Sequence, residues 1–157
     1  MASLLWLLRH GEAVPHGSEP EDADRALTPN GVHQSRTAGQ ALARAGVEIE
    51  ACYASPKVRA RDTARLAGEE LGVEVAEAPE IAAGFDADAA RALAGAHDGD
   101  VLVVGHDPDF SQVVHDLTGA RVDFKKGGVA AIRLGPLPEL LALLRPAELI
   151  AMAGEGR

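Results

Sequence analysis

Three short stretches of this 157-residue chain set chemically capable side chains directly behind apolar runs, and a fourth sets one just before a helix start. Arg9-His10-Gly11 follows Leu4-Leu5-Trp6-Leu7-Leu8, and Gly105-His106-Asp107-Pro108 follows Val101-Leu102-Val103-Val104. Ser55-Pro56-Lys57-Val58-Arg59 follows residues 49–54, and Arg25 stands three residues before Thr28-Pro29, a helix start. A neutral imidazole is a nucleophile, and a guanidinium holds an anion through a two-pronged fork. A helix N-terminus adds free N–H groups and a positive dipole end, so Arg59 in the first turn behind Ser55 reads as an anion ligand. Each stretch has a plainer reading on its own: a strand-end histidine can be a surface residue, His106 can cap the next helix, and a helical arginine can serve solubility. Arg61 and Arg65 fit that plainer reading.

The elements that must carry these residues alternate. Strands are expected at residues 4–8, 49–54, 73–76 and 100–104, each a short apolar run bounded by polar or turn residues. Helices are expected at 28–45, with Thr28 as N-cap, Pro29 at the first helical position and Gly46 as the stop, and at 57–71, stopped by Gly72. Further helices fall at 86–96, capped by Asp86 or Asp88, and at 108–117, with Asp107 as N-cap. Ser55 is available to cap the helix behind it. Residues 129–134 and 139–144 flank Gly-Pro-Leu-Pro and read as a strand pair, a helix being the alternative for 139–144, and 147–152 closes the chain as a helical turn. Strand–helix alternation ending in a hairpin predicts an α/β three-layer sandwich: a mostly parallel sheet, helices on both faces, and an antiparallel C-terminal strand pair. In such sheets ligands bind at the carboxyl ends of the strands, where His10, Ser55 and His106 would stand.

Composition bounds the reading. The length suits a single domain over residues 1–157. Apolar residues are 46% and aromatics only 3%, so Leu, Val, Ile and Ala must build the core. A net charge of −9 argues against nucleic acid or an acidic membrane surface as partner, and makes any basic pocket a local device. Cys52, the single cysteine, excludes an internal disulfide and sits in an apolar run as a small hydrophobe. No apolar stretch reaches the length of a membrane span and no positive region precedes the first apolar run, so a cytoplasmic protein is expected. No His, Cys or acidic spacing matches a metal site, and no cofactor is expected. His16, His33, His97 and His115 read as exposed loop or helix residues.

With these residues assembled, the chain resembles the histidine phosphatase superfamily. The resemblance rests on Arg9-His10-Gly11, on Leu27-Thr28-Pro29-Asn30-Gly31, on Ser55-Pro56 with Arg59-Ala60 and Thr63, and on Gly105-His106-Asp107-Pro108, in order from end to end. The short length, the Asp22-x-x-Arg25-x-Leu27-Thr28 form, and only about 40 residues between Thr63 and Gly105 resemble the compact SixA-type phosphohistidine phosphatases. The resemblance implies that His10 attacks phosphorus and forms a phosphohistidine intermediate, with Arg9, Arg59 and His106 holding the phosphoryl oxygens and Arg25 as a secondary contact at the pocket mouth. Phosphate or vanadate is then an expected inhibitor.

Larger relatives supply a carboxylic acid from the loop after the third strand, and the nearest match is Glu80, which can equally be a solvent-exposed carboxylate. Glu12 is a second candidate, at a position that is commonly structural. An alkoxide leaving group needs a proton, whereas imidazole leaves without one so readily that a poor acid suits phosphohistidine on a protein. The expected function is therefore dephosphorylation of protein phosphohistidine. The alternatives are a small-molecule phosphomonoesterase of the same mechanism and a non-catalytic phosphate-dependent regulatory module, which would have no need of His10.

Overall fold

A computed structural model describes residues 3–154. Its centre is a six-stranded sheet in the order β3-β2-β4-β1-β5-β6, formed by β1 (Leu4–Arg9), β2 (Ile49–Ala54), β3 (Val75–Glu77), β4 (Asp100–Gly105), β5 (Val129–Arg133) and β6 (Glu139–Leu144). The first four strands run parallel, β5 pairs antiparallel with β1, and β6 pairs antiparallel with β5. Residues 139–144 are thus strand, the helical alternative being excluded by their ladder with β5.

Alternation along the strands feeds two apolar layers. Leu8 and Trp6 pack with Ala38, Leu42, Ala60 and Ala64 beneath α1 (Pro29–Arg44) and α2 (Val58–Leu71). Leu5 and Leu7 pack on the other face with Phe110 and Val113, beneath α3 (Ala87–Gly95) and α4 (Asp109–Thr118). The short α5 (Pro146–Met152) adds Leu149 to the first layer. Cys52 is buried there, and burial pushes its thiol up to about 12, so it behaves as a small hydrophobe.

Small residues let the layers approach. A Cβ on Gly39 of α1 would lie 2.6 Å from the Ala67 carbonyl of α2, so the two helices touch through backbone there. Thr28 caps α1 by accepting from Gly31 N at 3.0 Å, and Asp86 caps α3 through Ala89 N at 2.9 Å, leaving no capping role for Asp88. Two expected caps sit differently. Pro108 is the N-cap of α4, and Asp107 reaches past it, accepting from Ser111 N at 2.9 Å. Lys57 is the N-cap of α2, while Ser55 accepts from Lys57 N at 3.2 Å and turns its hydroxyl toward His106. The strand at 73–76 begins two residues later, because Val73 N is occupied by the α2 C-terminus at Gly68 O.

Candidate active site

Sheet register assembles the site. β1 and β4 are parallel neighbours with Arg9 opposite Gly105, so the residues following them, His10 and His106, emerge side by side. His10 N donates to Gly105 O at 3.0 Å, and Ser55 N, at the end of β2, donates to Val104 O at 3.0 Å. The helices after β1 and β4 cover opposite faces of the sheet, which opens a crevice between these two strand ends. The His10 and His106 rings lie there with centroids 5.3 Å apart. A pocket of about 530 Å³ is lined by Arg9, His10, Arg25, Lys57, Arg59 and His106, with Lys126 at its rim.

His10 is 7% exposed, and its Nδ1 lies 2.7 Å from Gly11 O. A carbonyl only accepts, so Nδ1 carries the ring hydrogen and Nε2 keeps its lone pair. Burial, with the charges of Arg59, Arg9 and Lys126 adding to it, pulls the imidazole down to about 4, against the opposing pull of the Gly11 carbonyl. It is a neutral nitrogen base at neutral pH. Gly11 permits this turn: a Cβ there would stand 2.6 Å from Gly31 O at the start of α1.

His106 Nε2 lies 2.8 Å from Ser55 Oγ. Because Ser55 already accepts from Lys57 N, its hydroxyl hydrogen is available to Nε2, and that arrangement puts the imidazole hydrogen on Nδ1. Burial first, then coupling to His10 and the positive charges of Arg59 and Lys57, holds His106 down at about 3, so it acts as a neutral donor.

The arginines are braced rather than loose. Arg9 Nη1 donates to Phe124 O at 2.6 Å, in the segment leading into β5. Arg59 donates from Nη1 to Asp22 O at 3.0 Å and from Nη2 to Asp22 Oδ2 at 3.1 Å. Arg25 is buried; its Nε donates to Asp22 Oδ1 at 2.8 Å and its Nη1 to Val14 O at 2.8 Å. The bond to Arg25 first, and the nearby Arg59 charge, hold the Asp22 carboxyl down at about 2. Three buried nitrogens remain without a partner among the described residues: Arg9 Nε, Arg59 Nε and His106 Nδ1. All three belong to pocket-lining residues. Buried donors left unpaired cost about 1–3 kcal/mol each, so three together mark a place built for an oxyanion.

The structure brings Arg9, His10, Arg25, Arg59 and His106 together and leaves Glu80 out. Glu80 is exposed in the short 3-10 turn Pro79–Ile81, and the pocket wall in that loop is Ala82, Ala83 and Gly84. Glu12 accepts from Thr28 Oγ1 at 2.7 Å and Asn30 Nδ2 at 3.3 Å, fastening the start of α1. Among the other histidines, His16 lines the pocket and pairs with Asp22 at 3.1 Å, and His97 is half-buried with its Nε2 2.6 Å from Tyr53 Oη. His16 is thus the exposed loop residue expected, although it also lines the pocket, whereas His97 is not the surface residue expected.

Sequence reasoning missed Lys57, Lys126, Asp107 and Asp109 as pocket residues. Lys126 precedes antiparallel β5, whose amino end lies at the same sheet edge as the parallel strands' carboxyl ends. Gly127 N donates to both Arg9 O and His10 O at 3.0 Å, which holds that loop over the motif. A search for strand carboxyl ends alone could not find it. Among the described residues, no group of three or more His, Cys, Asp or Glu is placed to hold a metal ion.

The sequence profile of the histidine phosphatase superfamily (branch 1) matches residues 5–82. An uncharacterised protein of Picosynechococcus sp. is 33% identical over 147 residues, which cover 83% of this chain and 85% of that one. The chain belongs to the histidine phosphatase superfamily. The structure of the protein histidine phosphatase SixA complexed with tungstate superposes with a TM-score of 0.84 at 27% identity, over 93% of this histidine phosphatase and 99% of that chain. A structure from Nakamurella multipartitia, assigned as the phosphohistidine phosphatase SixA, has a TM-score of 0.80 at 28% identity, over 93% and 97%. The protein is thus a phosphatase with a SixA-like fold. No helix among its described residues is long and apolar enough to cross a membrane.

Proposed function

We propose that this histidine phosphatase removes the phosphoryl group from phosphohistidine in a partner protein, through a covalent intermediate on His10. The observation that carries the reading is that Arg9, Arg59 and His106, each with an unpartnered buried nitrogen, line one pocket with a histidine held neutral with Nε2 free. A phosphoryl group in transfer spreads charge over its equatorial oxygens, and preformed donors in a buried site stabilise that charge without reorganisation. His10 Nε2 donates its lone pair to phosphorus while the bond from phosphorus to the substrate nitrogen breaks, its electron pair returning to the departing imidazole. Water then attacks, the bond to Nε2 breaks, and dihydrogen phosphate leaves with both water hydrogens before equilibrating with solvent.

Leaving-group chemistry supports phosphohistidine over a phosphate ester. Glu80 stands outside the pocket and Glu12 is engaged elsewhere, so neither supplies the proton an alkoxide requires. Imidazole departs neutral when its second nitrogen already carries a hydrogen. The kinship to SixA proteins at 27–28% identity points the same way.

The test is to react the protein with a phosphohistidine-bearing phosphotransfer domain and with an aryl phosphate, quench without acid, and locate the phosphoryl group. The phosphoenzyme should carry it on His10, with kcat/KM higher for the protein substrate. His10→Ala should retain the fold and less than about one part in a hundred of the activity, as covalent routes do without their nucleophile. A preference for the aryl ester would select the small-molecule phosphomonoesterase, and absence of turnover on either substrate the regulatory module.

A further inference from the structure

Resting on the phosphohistidine reading, we infer that Asp109 receives the second ring nitrogen of the substrate histidine and thereby sets the preference for phosphohistidine over phosphate esters. The carboxylates around the cradle differ in what they have left to offer. Asp22 gives its carboxylate to Arg25, Arg59 and His16. Glu12 is spent on Thr28 and Asn30. Asp107 lines the pocket but both of its oxygens accept from Ser111, Oδ1 from N and Oγ at 2.9 and 2.8 Å and Oδ2 from Oγ at 2.9 Å.

Asp109 lines the same pocket and uses one oxygen only. Its Oδ2 accepts from Gly84 N at 3.0 Å, which ties the first residue of α4 to the Ala82–Ala83–Gly84 wall. Its Oδ1 takes no hydrogen bond among the described residues. That wall, two alanines and a glycine, offers a ring no competing side-chain polar group and little bulk.

Phosphohistidine makes a demand that such a carboxylate meets. The ring bears phosphorus on one nitrogen, and the leaving group is neutral imidazole only if the other nitrogen is protonated as the bond breaks. A carboxylate accepting from that N–H stabilises the protonated ring, as an aspartate does for an imidazolium elsewhere in catalysis. No hydrogen is delivered to the departing nitrogen: the electron pair of the broken bond stays there, and the hydrogen already on the far nitrogen makes the ring neutral. A phosphate ester has no such N–H and gains nothing from this contact.

The experiment compares wild type, Asp109→Asn and Asp109→Ala on a phosphohistidine-bearing phosphotransfer domain and on an aryl phosphate. Asparagine keeps an oxygen for Gly84 N but loses the charge, so it separates recognition from bracing of the wall. The ratio of kcat/KM, phosphohistidine over aryl phosphate, should fall at least about tenfold in Asp109→Asn, the difference between a charge-assisted and a neutral hydrogen bond. Equal losses on both substrates, or a larger loss on the ester, would overturn the inference while leaving the phosphohistidine reading intact. Wild type inert on phosphohistidine but active on the ester would overturn both.

Discussion

Single residues in this site are set by what their second atom touches. His10 owes its free Nε2 to the Gly11 carbonyl on Nδ1, and His106 owes its available Nδ1 to Ser55 on Nε2. Arg59 is the most instructive, because its outer nitrogens are already paired with Asp22 while its Nε has no partner. Asp22 orients the guanidinium and offsets part of its charge, so the site has a built-in anion beside the place for another. Arg59→Ala should weaken vanadate inhibition by about 1.5–3 kcal/mol, the range for charge-assisted hydrogen bonds to a buried anion. Unchanged vanadate affinity in that variant would mean that Arg59 serves only to anchor Asp22.

At the scale of elements, the site depends on how closely α1 approaches the loop behind β1. Thr63 Oγ1 of α2 accepts from Gly11 N at 3.1 Å and donates to Arg59 O at 2.7 Å, and Ser35 of α1 lies 3.1 Å from the same oxygen. These buried hydroxyls tie the loop that carries His10 to both helices. The gap itself is held open by glycine: a Cβ on Gly31 would sit 2.0 Å from Glu12 O, against backbone that cannot turn aside. Gly31→Ala should therefore cost about 2–4 kcal/mol in urea unfolding, the range for overpacking plus a displaced cap, and lower activity by shifting Gly11. Gly46→Ala, just past the end of the same helix, meets open space but a φ of +83°, and should cost less, with activity preserved in the folded fraction. Equal effects of the two on activity would show that the α1 approach does not position the site.

Across the whole molecule, a chain of net charge −9 gathers Arg9, Arg25, Lys57, Arg59 and Lys126 around one pocket. That concentration makes a local positive potential inside a chain whose net charge is negative. It also makes stability depend on pH. His10 and His106 are held at about 4 and about 3 in the fold, against 6.5 when free. Below 6.5 the unfolded chain takes up protons that the folded chain refuses, so stability is complete above that value and falls as pH drops toward 4. Asp22, held at about 2, extends the loss below its ordinary carboxylate range. Each histidine contributes a slope of about 1.4 kcal/mol per pH unit in that window. Urea unfolding at pH 7 and pH 5 should show the decline, and His106→Asn should remove about half of it. A stability unchanged over this range would refute burial of both rings in neutral form.

Much of this site was legible in the chain because local chemistry determined it. Apolar runs ending in Arg-His-Gly and Gly-His specify strands that deliver imidazoles to a sheet edge, and Thr28-Pro29 and Gly72 specify where helices begin and end, whatever the rest of the fold does. Which polar side chains then share a pocket is decided by register and by distance across the sheet. Arg9 opposite Gly105 puts two histidines together that are far apart in sequence, and the antiparallel entry of β5 brings Lys126, which follows no strand, to the edge where the parallel strands end. Glu80 has the residue type and the loop position of an acid, yet the 3-10 turn leaves it in solvent and presents Ala82 to Gly84 instead. Asp109, one of two acidic residues just behind His106, is distinguished from Asp107 by the hydrogen bonds each makes. Short-range sequence sets conformation and caps; pairing of donors with acceptors across 25 or more residues exists only once the chain has closed on itself.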